Sequence, residues 1–229
     1  MIISYYSCVL FHEWAHGTMA WLFGYKSSPF DIKYGGWLLL HSDEAVPYDK
    51  MMSSGRGIES AFTGISGISI NTIFLIISLF FLRFKKIKNN NITSTIFFYW
   101  LAIFNLAPIF GYIPNGTFSE QGDVGRFVTG LNISPWVIFI PGTVLVSCVI
   151  YHLISTVLKH VLIKLQIDAN FSRRIYLWMS LWVIFFLIYT HGYNPLSDVG
   201  ATTLSKVIAM ISIFAAFILA FICDPCINT

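Results

Sequence analysis

Apolar runs of bilayer length recur along this chain, and the first of them, Ile2 to Phe23, is broken by three ionisable residues: His12, Glu13 and His16. A helix of about 20 apolar residues crosses the hydrocarbon core. Six stretches approach that length, at roughly 2–24, 58–82, 93–113, 136–158, 174–191 and 204–223. In lipid every backbone polar group must be satisfied within the protein, and a helix does this inside a single segment. Only 11% of the 229 residues are charged, against about 25% in a soluble domain. The expected fold is an all-α polytopic membrane protein of about six transmembrane helices. It forms a single transmembrane domain over 1–229 with no separate soluble domain. The first run lacks the basic start and small-residue cleavage site of a signal peptide, so it is expected to remain as the first helix.

The polar residues of that run read His12-Glu13-Trp14-Ala15-His16. On a helix, residues four apart share a face, so both imidazoles can hold one ion while Glu13 stands beside it. Zinc suits this set: two imidazoles, a further ligand from elsewhere, and an open position for a water that the carboxylate can deprotonate. Ionisable residues inside a membrane helix are costly and usually mark a functional site. The bland alternative is a polar cluster that ties helices together. His12 would lie about 16 Å along its helix from Met1, near mid-bilayer. For the further ligand the chain offers Asp123, in Gly122-Asp123-Val124-Gly125, and Asp198, in Ser197-Asp198-Val199-Gly200. His41, Glu44 and His191 stand behind them. Each aspartate precedes a later run and could instead cap a helix. With six spans, the loops carrying both fall on the same face as the loop after the first helix.

That loop alternates through Phe30-Asp31-Ile32-Lys33-Tyr34, breaks at Gly35-Gly36, and resumes as Trp37-Leu38-Leu39-Leu40-His41. A small membrane-associated β-hairpin with a glycine turn is expected there. Its edge could hold an extended peptide by main-chain hydrogen bonds, or serve no substrate at all. The second run carries Ser60, Gly64, Gly67 and Asn71, whose small residues allow close helix approach. An amide such as Asn71 in hydrocarbon needs a partner. The third run ends Asn105-Leu106-Ala107-Pro108, where proline predicts a kink or a stop, with the Asn105 amide facing a cavity.

The net charge of +3 resides in loops, with no basic patch interleaved with aromatics to suggest nucleic acid. Arg83, Lys85, Lys86 and Lys88 form a dense cluster that favours a cytoplasmic N-terminus. Cys223 and Cys226 form a lone C-x-x-C without the second pair that a structural zinc site needs.

In this order the motifs resemble the site-2 protease family of intramembrane zinc metalloproteases. The resemblance rests on His12-Glu13-Trp14-Ala15-His16, the Gly35-Gly36 hairpin, Thr63-Gly64 through Asn71, and Asn105-Leu106-Ala107-Pro108, and spans about residues 8–126. It implies a protease-like core over 1–134 with additional helices over 135–229. It also implies zinc held by His12, His16 and Asp123, with Glu13 as the catalytic base. Asn71 and Asn105 would bind the unwound backbone of a membrane-protein substrate. Asp123 follows Asn105 by eighteen residues, with Pro114 and Gly116 between, whereas the family's aspartate follows within a few. No PDZ-like domain is expected. The rival readings are a non-catalytic membrane-protein binder and a membrane di-iron hydroxylase or desaturase, which would need further histidine clusters. A transporter would need repeat halves with paired broken helices.

Overall fold

In the computed structural model a helix stands at each of the six expected runs. The structure describes residues 1–37, 39, 42–83, 91–191 and 202–222. The helices are α1 (Ile2–Leu22), α2 (Tyr48–Ser53), α3 (Gly57–Arg83), α4 (Ile92–Phe110), α5 (Asp123–Leu131), α6 (Trp136–His152), α7 (Leu158–Lys164), α8 (Asn170–His191) and α9 (Thr203–Ile222). A π-helical turn, Gly111–Asn115, extends α4, and another, Leu153–Val157, joins α6 to α7. Among the described residues, three segments are long and apolar enough to cross a membrane: Gly57–Arg83, Ile92–Asn115 and Trp136–Lys164.

The hub is α4, buried at every position from Tyr99 to Ala107. A helix that is apolar on all sides must be surrounded, and α1, α3 and α8 pack around it. On α1 the inward stripe is Ser4, Cys8, His12, His16 and Ala20, each four residues after the last and all buried. The i, i+4 geometry of a straight helix makes these one face. It is polar through most of its length, so its neighbours must supply hydrogen-bond partners. Ser4 Oγ donates to the Phe97 carbonyl at 3.1 Å, and the Cys8 thiol donates to the Phe104 carbonyl at 3.2 Å.

The second of these bonds explains why Pro108 does not end the helix. Proline has no N–H, so the carbonyl four residues before it, Phe104, loses its helical partner. Cys8 satisfies that carbonyl from α1, and α4 continues through Pro108 before opening into the π-turn. Of the expected kink or stop, the stop does not occur, and the helix runs through Pro108.

Among the described residues no strand forms. The expected hairpin is represented by one antiparallel bridge, in which Lys33 and Asp43 exchange backbone hydrogen bonds of 2.9 and 2.8 Å. Leu39 and Ala45 have φ of 54° and 52°, left-handed values that interrupt an extended ladder. Leu38, Leu40 and His41 lie outside the described residues, as do Asp198, Lys85 to Lys88, Cys223 and Cys226. The loop nevertheless follows α1 closely. Pro29 lies against Gly17, Trp14 Nε1 donates to Tyr34 Oη at 3.4 Å, and Tyr6 Oη donates to the Trp37 carbonyl. From Gly17 to Tyr6 is about 16 Å of helix at 1.5 Å per residue. The chain then returns, bringing Ser42 back to Glu13.

Helix α8 is tied to the hub by Tyr99 Oη, 2.6 Å from Ser180 Oγ, which itself donates to the Tyr176 carbonyl. Tyr99→Phe should lower stability by about 1 kcal/mol, the net worth of one hydrogen bond. Ser180→Ala, which strands the buried phenol, should cost up to about 3 kcal/mol. Thermal unfolding of the two variants in detergent checks the order.

Candidate metal centre

Two histidines on one helix face make a metal site only if their lone pairs meet, and that depends on which ring nitrogen carries the proton. His16 Nδ1 is 2.7 Å from the Thr63 carbonyl, and His12 Nδ1 is 2.5 Å from Asn71 Oδ1. Both partners can only accept, so each imidazole carries a proton on Nδ1 and, as a neutral ring, presents a bare Nε2. The two Nε2 atoms face each other at 3.1 Å. Asp123 completes a triangle: its Oδ2 lies 3.2 Å from His12 Nε2 and 3.3 Å from His16 Nε2. Among the described residues that oxygen accepts no hydrogen bond.

With both rings neutral, three electron-pair donors converge with no proton among them. A single added proton could occupy only one edge of the triangle, whereas one cation at its centre satisfies all three. His12, His16 and Asp123, at 8%, 1% and 3% exposure, are nearly closed off from solvent. They could hold a metal ion.

The backbone is shaped to this purpose. On α3, a Cβ at Gly67 would fall inside contact distance of His16 Nε2 and 2.6 Å from His12 Cε1. Gly67 therefore lets α3 pass close to both Nε2 atoms with no side chain in the space before them. One turn earlier, a Cβ at Gly64 would meet Asp123 O and Arg126 Cβ at 3.0 Å, so glycine also lets α5 dock. Asp123 is the first residue of α5, after Gly122 at φ 81°, a conformation glycine adopts without strain. The helix dipole at that end favours a carboxylate.

Glu13, at 9% exposure, sits beside the triangle. Its Oε1 accepts from Ser42 Oγ at 3.1 Å, and its Oε2 has no partner among the described residues. Outside it, Arg126 Nη1 approaches Glu44 Oε1 at 3.6 Å while its guanidinium lies 3.7 Å from the centre of the Tyr48 ring. Burial, and then the charges of Glu44 and Asp123, push the Tyr48 phenol well above its usual range, so it stays neutral.

Of the expected site residues, His12, Glu13, His16, Asp123 and Asn71 come together. Asn105 stands one step further back, with its Oδ1 accepting from Asn71 Nδ2 at 2.8 Å and its Nδ2 donating to the Leu101 carbonyl at 2.7 Å. The amides face each other and His12 rather than an open cavity, so gripping a substrate would require that chain of bonds to break. Glu44 is paired with Arg126, and among the described residues Asp123 is the carboxylate at the triangle. Four participants were missed. Cys8 had a signal, since it lies four residues before His12 on the same stripe, and Arg126 is three after Asp123. Ser42 and the Thr63 carbonyl had none, because a loop hydroxyl and a backbone oxygen carry no sequence pattern.

Gly67→Ala should reduce metal retained on purification by at least about tenfold, the scale on which a site's surroundings govern affinity. Elemental analysis of the purified variant beside wild type is the check. No known protein-family model, curated protein or solved structure matches this chain, so the chemistry of the centre rests on its own atoms.

Proposed function

We propose that this chain is a multi-pass membrane zinc metalloprotease of the site-2 protease kind, hydrolysing a peptide bond in a transmembrane or membrane-proximal segment of a substrate protein. The observation that carries the reading is Glu13 Oε2, a buried carboxylate oxygen without a partner among the described residues, beside three converging donors. A binding or structural metal site has no use for such a group. A protease needs it as the base that takes a proton from water and passes it to the leaving amine. Ser42 holds the other oxygen of Glu13, so the unpartnered one is the working atom.

In this reading α1, α8 and α9 cross the bilayer together with the three apolar segments, giving six spans, and residues 1–134 form the catalytic core. A tetrahedral zinc with bonds of 2.0–2.2 Å has donor–donor edges of about 3.4 Å. The edges here are 3.1, 3.2 and 3.3 Å. When bound, zinc supplies polarisation of the substrate carbonyl and acidification of water. The substrate segment must be unwound, because a helix hides its own peptide bonds. The loop around the Lys33–Asp43 bridge, which returns past Glu13, is placed to hold that segment by main-chain hydrogen bonds.

The test is a purified preparation with zinc acting on a helical membrane substrate. Glu13→Gln should lower cleavage by about 10²–10⁴-fold while keeping its metal, and cleavage that persists in this variant would sink the mechanism. Asp123→Ala should lose the metal and Asp198→Ala should keep it; the reverse would move the third ligand. Chelation should stop cleavage and added zinc restore it. A wild type that binds zinc and cuts nothing would instead support the non-catalytic binder.

A further inference from the structure

The two histidines reach the same tautomer by different routes. His16 donates directly to a backbone carbonyl, that of Thr63. A carbonyl only accepts, so the ring has one way to sit. His12 donates to a side-chain amide, Asn71. An amide is ambiguous: rotated by half a turn it would present its NH2 to Nδ1. The ring would then move its proton to Nε2, where no lone pair remains for an ion.

Asn71 is held against that rotation. Its Nδ2 donates to Asn105 Oδ1 at 2.8 Å and to Cys8 Sγ at 3.3 Å. Each of these acceptors is itself fixed by a backbone carbonyl of α4. Asn105 Nδ2 donates to Leu101 O, and the Cys8 thiol donates to Phe104 O, the carbonyl that Pro108 leaves without a helical partner. Both asparagines are fully buried, so no water competes for these bonds. Reading outward from Leu101, each group donates to the one before it, and the last proton in the series lies on His12 Nδ1.

We propose that Asn71 is a positioning residue for the metal centre, with Asn105 orienting it, so that α4 sets the tautomer in which His12 offers Nε2 to the ion. This rests on the metal-binding part of the reading above and not on cleavage. It gives Asn71 and Asn105 a task inside the protein rather than on a substrate.

The roles are separable because a carboxylate, unlike an amide, accepts whichever way it turns, and carboxylate–histidine–metal arrangements are common. Zn²⁺ affinity is measured by competition with a chromophoric chelator. The visible absorption of Co²⁺ reports the donor set, and thermal unfolding of the metal-free protein reports folding. Asn71→Leu and Asn105→Leu should each weaken Zn²⁺ binding by about 10–100-fold and change the Co²⁺ spectrum. The double variant Asn71→Asp/Asn105→Leu should bind more tightly than either, because the orienting partner is no longer needed. A merely structural role for the amides predicts the opposite order, with the double variant weakest. That order, or Zn²⁺ affinities within threefold of wild type in all three variants, overturns the proposal. A wild type that binds no Zn²⁺ overturns it as well. Loss of cleavage with metal affinity intact would count against the assignment too, since it would return the amides to the substrate.

Discussion

Everything around the centre follows from one constraint: three lone pairs point at one another across edges of 3.1 to 3.3 Å inside apolar surroundings. Such an arrangement repels itself unless a cation joins it, and the surrounding protein must hold it in place. The rigid parts are therefore helices rather than loops. Two donors come from one face of α1, and the third comes from the first turn of α5. Helix α3 runs between them with glycines where side chains would intrude.

Holding the donors is only half the requirement, because an imidazole in the wrong tautomer occupies the right place and offers nothing. Each ring is therefore tied on its far side to a group whose polarity is fixed. The fixing groups are backbone carbonyls, which hydrogen-bond within helices and need a reason to face sideways. Thr63 lies on α3, where Ser66 Oγ also donates to its carbonyl at 2.7 Å. Phe104 is released by Pro108. A proline that looks like a helix breaker instead exposes an acceptor at the one height where Cys8 can use it.

This explains what the sequence made legible and what it did not. The pair on α1 was readable because the helical period alone puts His12 and His16 together. The helices were readable because bilayer-length apolar runs admit few other structures. Asp123 could be reached only through the order of motifs, since nothing local distinguishes it from Asp198. How the chain accommodates Pro108 was not legible. The rule that proline removes a hydrogen bond is local, while the replacement bond comes from Cys8, ninety-six residues earlier in the chain. The hairpin was overestimated for a related reason. Alternation predicts extended backbone, but Leu39 and Ala45 take left-handed values where the loop bends to follow α1.

Charge balance adds a further reason for this combination of residues. A net charge in a site closed off from water is far costlier than a neutral group of charges in contact. With both imidazoles neutral and Asp123 and Glu13 ionised, a divalent cation would cancel the two negative charges. The next charges outward, Glu44 and Arg126, cancel each other at 3.6 Å. Loaded with a divalent ion, the whole polar core would be neutral, although three of its ionisable side chains lie on one helix. A monovalent ion would leave it negative, and a third carboxylate ligand would do the same. One aspartate at the triangle and one glutamate beside it match a divalent ion in a site that water barely reaches.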